Sequence, residues 1–149
     1  MTYSFRRFVP SDVPVLAEMG LKFFRAGSLP GTFNPQVFAE FWTETLSGGV
    51  GIVLLLLFDD EPVGTIGGIV FSDPCTGDII AQETFWWVDE EHRGSPSAGL
   101  ITIFESEAKR RGAQRVAMSA IVGLKHRALA RFYGGRGYRP LEHSFVKEV

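Results

Sequence analysis

The chain has 149 residues, enough for one domain with a full hydrophobic core. Apolar residues make up 45% and the net charge is −2, with both signs spread along the chain, so composition excludes a disordered polymer and gives no support to nucleic-acid binding. The longest apolar run, Val50 to Phe58, is far too short to cross a bilayer, no secretory leader pattern opens the chain, and the lone Cys75 excludes an internal disulfide or a cysteine metal cluster. The expectation is a single domain over residues 1–149, cytoplasmic, with no membrane or nucleic-acid partner and no metal.

Strand-like and helix-like segments then alternate. Tyr3 to Phe8 reads as a short strand, and Ser11 as the N-cap of a helix in which Pro14 is tolerated in the first turn. Leu16, Met19, Phe23 and Phe24 recur at helical spacing until Gly27. Asn34-Pro35 repeats a cap followed by Pro at the first helical position, and Phe38, Phe41, Trp42 and Leu46 form an apolar stripe. Gly51 to Phe58 and Pro62 to Phe71 read as a hairpin around Asp59-Asp60-Glu61. Gly64, Gly67 and Gly68 weaken the second strand unless something approaches its backbone closely.

Ile79 to Val88 is a further strand, and a helix from about Ala98 ends in Lys109-Arg110-Arg111-Gly112. Arg115 to Ala120 alternates as a strand, Lys125 to Gly134 is helical, and Tyr138 to Val149 supplies the last strands. The resulting order is β-α-α-β-β-β-α-β-α-β-β. That predicts an α/β (α+β) domain whose mixed central sheet has about seven strands flanked by about four helices.

The most informative stretch runs from Val88 to Leu100: a strand, then small residues carrying an arginine, then a helix start. First-turn N–H groups lack intrahelical partners and the helix dipole is positive there, which suits a phosphate. No Gly-Lys-Ser/Thr follows, so a nucleotide-binding P-loop is a poor reading.

Together with Ala130-Arg131-Phe132-Tyr133-Gly134-Gly135-Arg136-Gly137-Tyr138 and the order of elements, this stretch resembles the GNAT superfamily of acyl-CoA N-acyltransferases. The resemblance spans almost the whole chain, matching only in pattern over the N-terminal third. It implies a coenzyme A site at Val88, Arg93, Gly94, Ser95, Ser97, Ala98, Gly99 and Leu100, with His126 nearby where many members carry Asn. It also implies acetyl-CoA as acyl donor, and a homodimer is compatible with it. Pro96 stands where the family prefers Gly and brings no N–H; a register shifted by one residue would use Gly99 instead.

N-acylation needs a base, because an alkyl amine has a pKa near 10 and is mostly protonated at neutral pH. It also needs a donor for the developing oxyanion and a proton for the departing thiolate. The resemblance implies a strand bulge around Val88 for the oxyanion, Tyr133 as proton donor, and a carboxylate on the same strand, of which Glu83 is the only one. Read by themselves, Tyr133 also fits core packing and Glu83 a paired or solvated strand residue. Trp86 and Trp87 read as core, with one a candidate wall of the acceptor pocket, and His92, His143 and Cys75 rank low.

The resemblance places the acceptor site at Phe23 to Phe38 and Pro140 to Phe145, where the Gly- and Pro-rich Ala26 to Phe33 loop reads as a lid. The acceptor stays open between a small amine, an amino acid and a protein N-terminus or lysine. The alternative function is a non-catalytic acyl-CoA-binding module, a sensor or structural subunit.

Overall fold

The hairpin around Asp59 is where local chemistry is plainest: Asp59 and Asp60 both take positive φ, 49° and 69°, the two-residue turn whose twist matches that of its strands. A computed structural model describes all 149 residues and shows this turn joining β2 (Gly51–Phe58) to β3 (Glu61–Ser72). With β1 (Tyr3–Arg7), β4 (Ile79–Val88) and β5 (Arg115–Ala117) they form one sheet in the order β1-β2-β3-β4-β5. Every neighbouring pair is antiparallel except β4 and β5, which are parallel.

The sheet lies in the first of two compact units, Met1–Ser119, with helices α1 (Val13–Ala26), α2 (Pro35–Ser47) and α3 (Ser95–Arg110). The second unit, Ala120–Val149, contains α4 (His126–Gly135). No helix is long and apolar enough to cross a membrane.

On one face of the sheet, Leu16 of α1 and Trp42 of α2 pack on Val53 and Phe85, joined by Phe23, Phe38 and Leu46. On the other face Leu100, Ile101 and Phe104 of α3 are fully buried. The β3 glycines are explained by these rings. A Cβ on Gly68 would lie 2.5 Å from the Phe104 ring, and one on Gly67 would meet Phe85 and Trp42. Asn34 caps α2 as expected, its side chain accepting from the N–H groups of Gln36 and Val37 at 3.1 and 3.2 Å.

Some expectations are corrected. Ser11 is not a cap. Pro10–Asp12 form a 3-10 turn, and Asp12 accepts the Val9 N–H at 2.8 Å while Arg6 holds its carboxylate at 2.7 and 2.8 Å. The helix expected from about Ala98 begins at Ser95, because Pro96 sits in its first turn, where a missing N–H costs nothing. The sheet has five strands rather than about seven: β5 stops at Ala117, and Tyr138 to Val149 forms no strand. In that last segment Leu141 and Phe145 share their alternation with His143 and Lys147, so neither face is apolar enough to set a register. Leu141, Phe145 and Val146 stay exposed.

Candidate functional site

Strands β4 and β5 pair only at Ile80–Arg115, Ala81–Val116 and Gln82–Ala117. From Glu83 onward no strand lies against that edge of β4, and side chains hold the fork where the two part. The Gln82 amide Nε2 donates to the Glu83 carbonyl at 2.8 Å and reaches the Ala117 carbonyl and Ser119 Oγ at 3.4 Å each. The Ser119 N–H donates to Glu83 Oε1 at 3.3 Å.

The orientation of Glu83 depends on one irregularity. Gly67 pairs with Phe85 but Gly68 with Glu83, so Thr84 is an extra residue in β4, a β-bulge. The Thr84 hydroxyl donates to the Gly67 carbonyl at 3.2 Å. Opposed residues share a face, so Phe85 joins Gly67 against Trp42, whereas Glu83 joins Gly68 on the side of Phe104. Unbroken alternation would have put Glu83 and Phe85 on the same face. The bulge expected around Val88 therefore lies four residues earlier, and Val88 pairs regularly with Gly64.

Glu83 is only 4% exposed. Burial pushes its carboxyl up to about 8, the Ser119 N–H pulling the other way. A carboxyl that ionises close to neutral pH is suited to accepting a proton and returning it.

Past β4, a 3-10 turn at Glu90–His92 leads to Arg93 and Gly94. Gly94 takes φ +115° and ψ −138°, open to glycine and strained for other residues, and a Cβ there would meet nothing within 4 Å. The first bond of α3 runs from the Ala98 N–H to the Gly94 carbonyl at 3.1 Å. The N–H groups of Ser95 and Ser97 thus have no helical partner, and Pro96 brings none. Ala98, Gly99 and Leu100 lie inside the helix. A Cβ on Gly99 would stand 2.5 Å from the Phe5 ring, so this glycine serves the packing of α3 on β1, and Leu100 is fully buried.

Arg93 folds back on the strand: its Nε donates to the Val88 carbonyl at 2.8 Å and its guanidinium lies 5.0 Å from the Trp87 ring centre. Trp87 Nε1 and Lys22 Nζ both donate to Asp89 Oδ1 at 3.0 Å, tying α1 to the end of β4. His92 Nδ1 is 3.0 Å from the Tyr3 hydroxyl and its ring 4.9 Å from that of Phe58, which pins the loop to the outer strands. Thr84, Asp89 and Ser119 are site residues the sequence did not single out. Only Asp89, within the motif stretch, carried a local signal.

In the second unit, Tyr133 of α4 is buried, its ring 6.0 Å from Phe132 and 5.7 Å from Tyr138. His126 Nδ1 lies 3.1 Å from the Val122 carbonyl. Phe33, in the loop that reads as a lid, packs 5.8 Å from Phe24 and 5.3 Å from Phe38, so the loop is seated in the aromatic cluster.

No protein-family model matches the sequence, and no curated protein matches it. Solved structures do match in shape. A predicted acetyltransferase from Clostridium acetobutylicum, solved with acetyl-CoA, superposes with TM-score 0.81 at 12% identity, covering 99% of this chain and 96% of that one. Ribosomal-protein-alanine N-acetyltransferase from Brucella melitensis biovar Abortus 2308 gives 0.76 at 18% identity, with full coverage of both chains. A GNAT family acetyltransferase from Staphylococcus aureus gives 0.71 at 17% identity, again over the full length of both. By these superpositions the chain has the fold of the GNAT acetyltransferases.

Proposed function

We propose that this chain transfers an acetyl group from acetyl-CoA to a primary amine by direct attack of the amine on the thioester. The observation that carries the reading is Glu83, a buried carboxyl with a near-neutral pKa, at the fork of β4 and β5 in the same unit as the uncapped first turn of α3.

The donor set at that turn fits a pyrophosphate. Ser95 and Ser97 offer main-chain N–H groups and hydroxyls, Gly94 leaves room for close approach, and the helix dipole favours an anion. Arg93 adds the guanidinium donors it does not spend on Val88. Beyond Gln82 no strand pairs with β4 on the β5 side, so an amide-bearing ligand arm can run there in the place of β5.

The thioester supplies an activated acyl group. The protein must take a proton from the incoming ammonium, which Glu83 Oε does as carboxylate. A main-chain N–H at the Thr84 bulge, released from the regular ladder, is the donor assigned to the thioester carbonyl oxygen. Tyr133 Oη is assigned the proton delivered to the departing thiolate. The acceptor class spans small amines, amino acids and protein N-termini or lysines.

Calorimetric titration with acetyl-CoA and, separately, ATP tests this, followed by a screen of amines for free-thiol release. Binding of acetyl-CoA alone, with thiol release dependent on an amine, is the expected result. Absence of acetyl-CoA binding would overturn the reading. Tight binding with no turnover on any amine would favour a non-catalytic acyl-CoA-binding module, to which Pro96, one donor short, lends support.

A further inference from the structure

Away from the start of α3, the first unit holds a concave site. It is a pocket of about 360 Å³ bounded by the end of β1, the start of β2, the last turns of α2 and the C-terminal half of α3. Glu107, in its wall, lies twelve residues along α3 from Ser95, about 18 Å at the helical rise, so this is not the proposed coenzyme site. It forms where β1 ends: Arg7 is the last residue paired, opposite Leu54, and only the Phe8 N–H reaches Val53, at 3.1 Å, before Pro10 turns the chain away.

The wall carries a charge cluster. Glu107 is 7% exposed and receives three arginines: Arg7 Nη2 at 3.0 Å, Arg110 Nη2 at 2.6 Å and Arg111 Nε at 3.3 Å. Three positive groups on one carboxylate leave an excess of two. Glu107 is held down at about 2, chiefly by the Arg110 hydrogen bonds, so it stays charged at neutral pH and cannot alter that balance. Of the five donors on a guanidinium, Arg7 spends one on Glu107, while Arg111 spends two, one on Glu107 and one on the Gly49 carbonyl at 2.9 Å. Both arginines line the pocket and keep donors in hand. The remaining lining is largely apolar, with Phe8, Leu46 and Ile52.

A preformed concavity with an apolar body and a few converging charged donors selects a small molecule of matching polarity. We infer that this pocket binds a small amphipathic anion, its carboxylate or phosphate head on Arg7 and Arg111 and its apolar part against Phe8, Leu46 and Ile52. Guanidinium suits either head, since both accept parallel N–H bonds. The inference is independent of acyl transfer.

The test is calorimetric titration of the whole chain with decanoate and with decyl phosphate, which separate the two heads. Decanol and inorganic phosphate serve as probes lacking head or tail. At least one amphipathic anion should bind one to one, with decanol and inorganic phosphate each weaker by tenfold or more. Arg7→Gln should weaken it by roughly tenfold, the loss of one charge-assisted hydrogen bond. Thr43→Trp fills the pocket mouth from an exposed position on α2, leaves the cluster intact and should abolish binding. Failure of both anions to bind would overturn the inference. So would binding of equal strength in Thr43→Trp, or equal binding of decanol, either of which marks simple hydrophobic adsorption.

Discussion

Replacing Glu83 by Gln separates a catalytic carboxyl from a packed one, because stability and activity should move in opposite directions. A carboxyl raised from 4.5 to about 8 prefers its neutral form by about 5 kcal/mol in the folded state. The sign follows from proton counts. Between pH 4.5 and 8 the unfolded chain has lost this proton and the folded chain keeps it, so stability falls by about 1.4 kcal/mol per pH unit. Below 4.5 both states are protonated and the contribution is fully present; above 8 both are ionised and no more is lost. Glutamine keeps the shape and the acceptor for the Ser119 N–H but never ionises. Urea unfolding at pH 5 should therefore give nearly equal stabilities, and at pH 9 the variant should exceed the parent by several kcal/mol. Amine-dependent thiol release should meanwhile fall by about a hundredfold or more. In the parent, the pH–rate profile should rise to near pH 8. A stability difference that stays flat from pH 5 to pH 9 would refute the burial argument, and unchanged turnover would remove Glu83 from the chemistry.

Two further outcomes follow from named contacts. Tyr133→Phe should lower turnover by about a hundredfold while leaving acetyl-CoA affinity within a few-fold, since in the proposed reaction the hydroxyl acts late; equal losses, read by calorimetry and steady-state kinetics, would make Tyr133 a packing residue. Gly68→Ala places a methyl 2.5 Å from the Phe104 ring in a closed interface, and chemical denaturation should show a loss of about 1–3 kcal/mol.

Local signals proved legible where one residue's chemistry acts on its own backbone. Asn34 caps α2, the Asp59-Asp60 turn closes the hairpin, and the small residues after Val88 open α3, all readable from a few adjacent positions. Strand count was not legible for Tyr138 to Val149, because β-propensity becomes a strand only where a partner edge and a buried face exist. Of the Val88–Leu100 motif, Ala98, Gly99 and Leu100 lie inside α3 rather than in the turn before it. Gly99, which reads as a loop glycine, packs against Phe5 of a strand more than ninety residues away in the sequence.

By itself the sequence determined the element order through most of the chain, the α/β class, the small-residue turn that opens α3, and Glu83 as the only carboxylate on its strand. These rest on hydrophobic period, caps and residue type, which are properties of neighbours in the chain. Only the tertiary structure decided which way Glu83 faces, because the Thr84 bulge that turns it depends on pairing with Gly67 and Gly68 across the sheet. The same is true of its near-neutral pKa, which comes from burial, and of the arginine cluster around Glu107, which joins Arg7 to a residue one hundred positions away. Desolvation and charge excess arise between distant segments, and no local pattern records them.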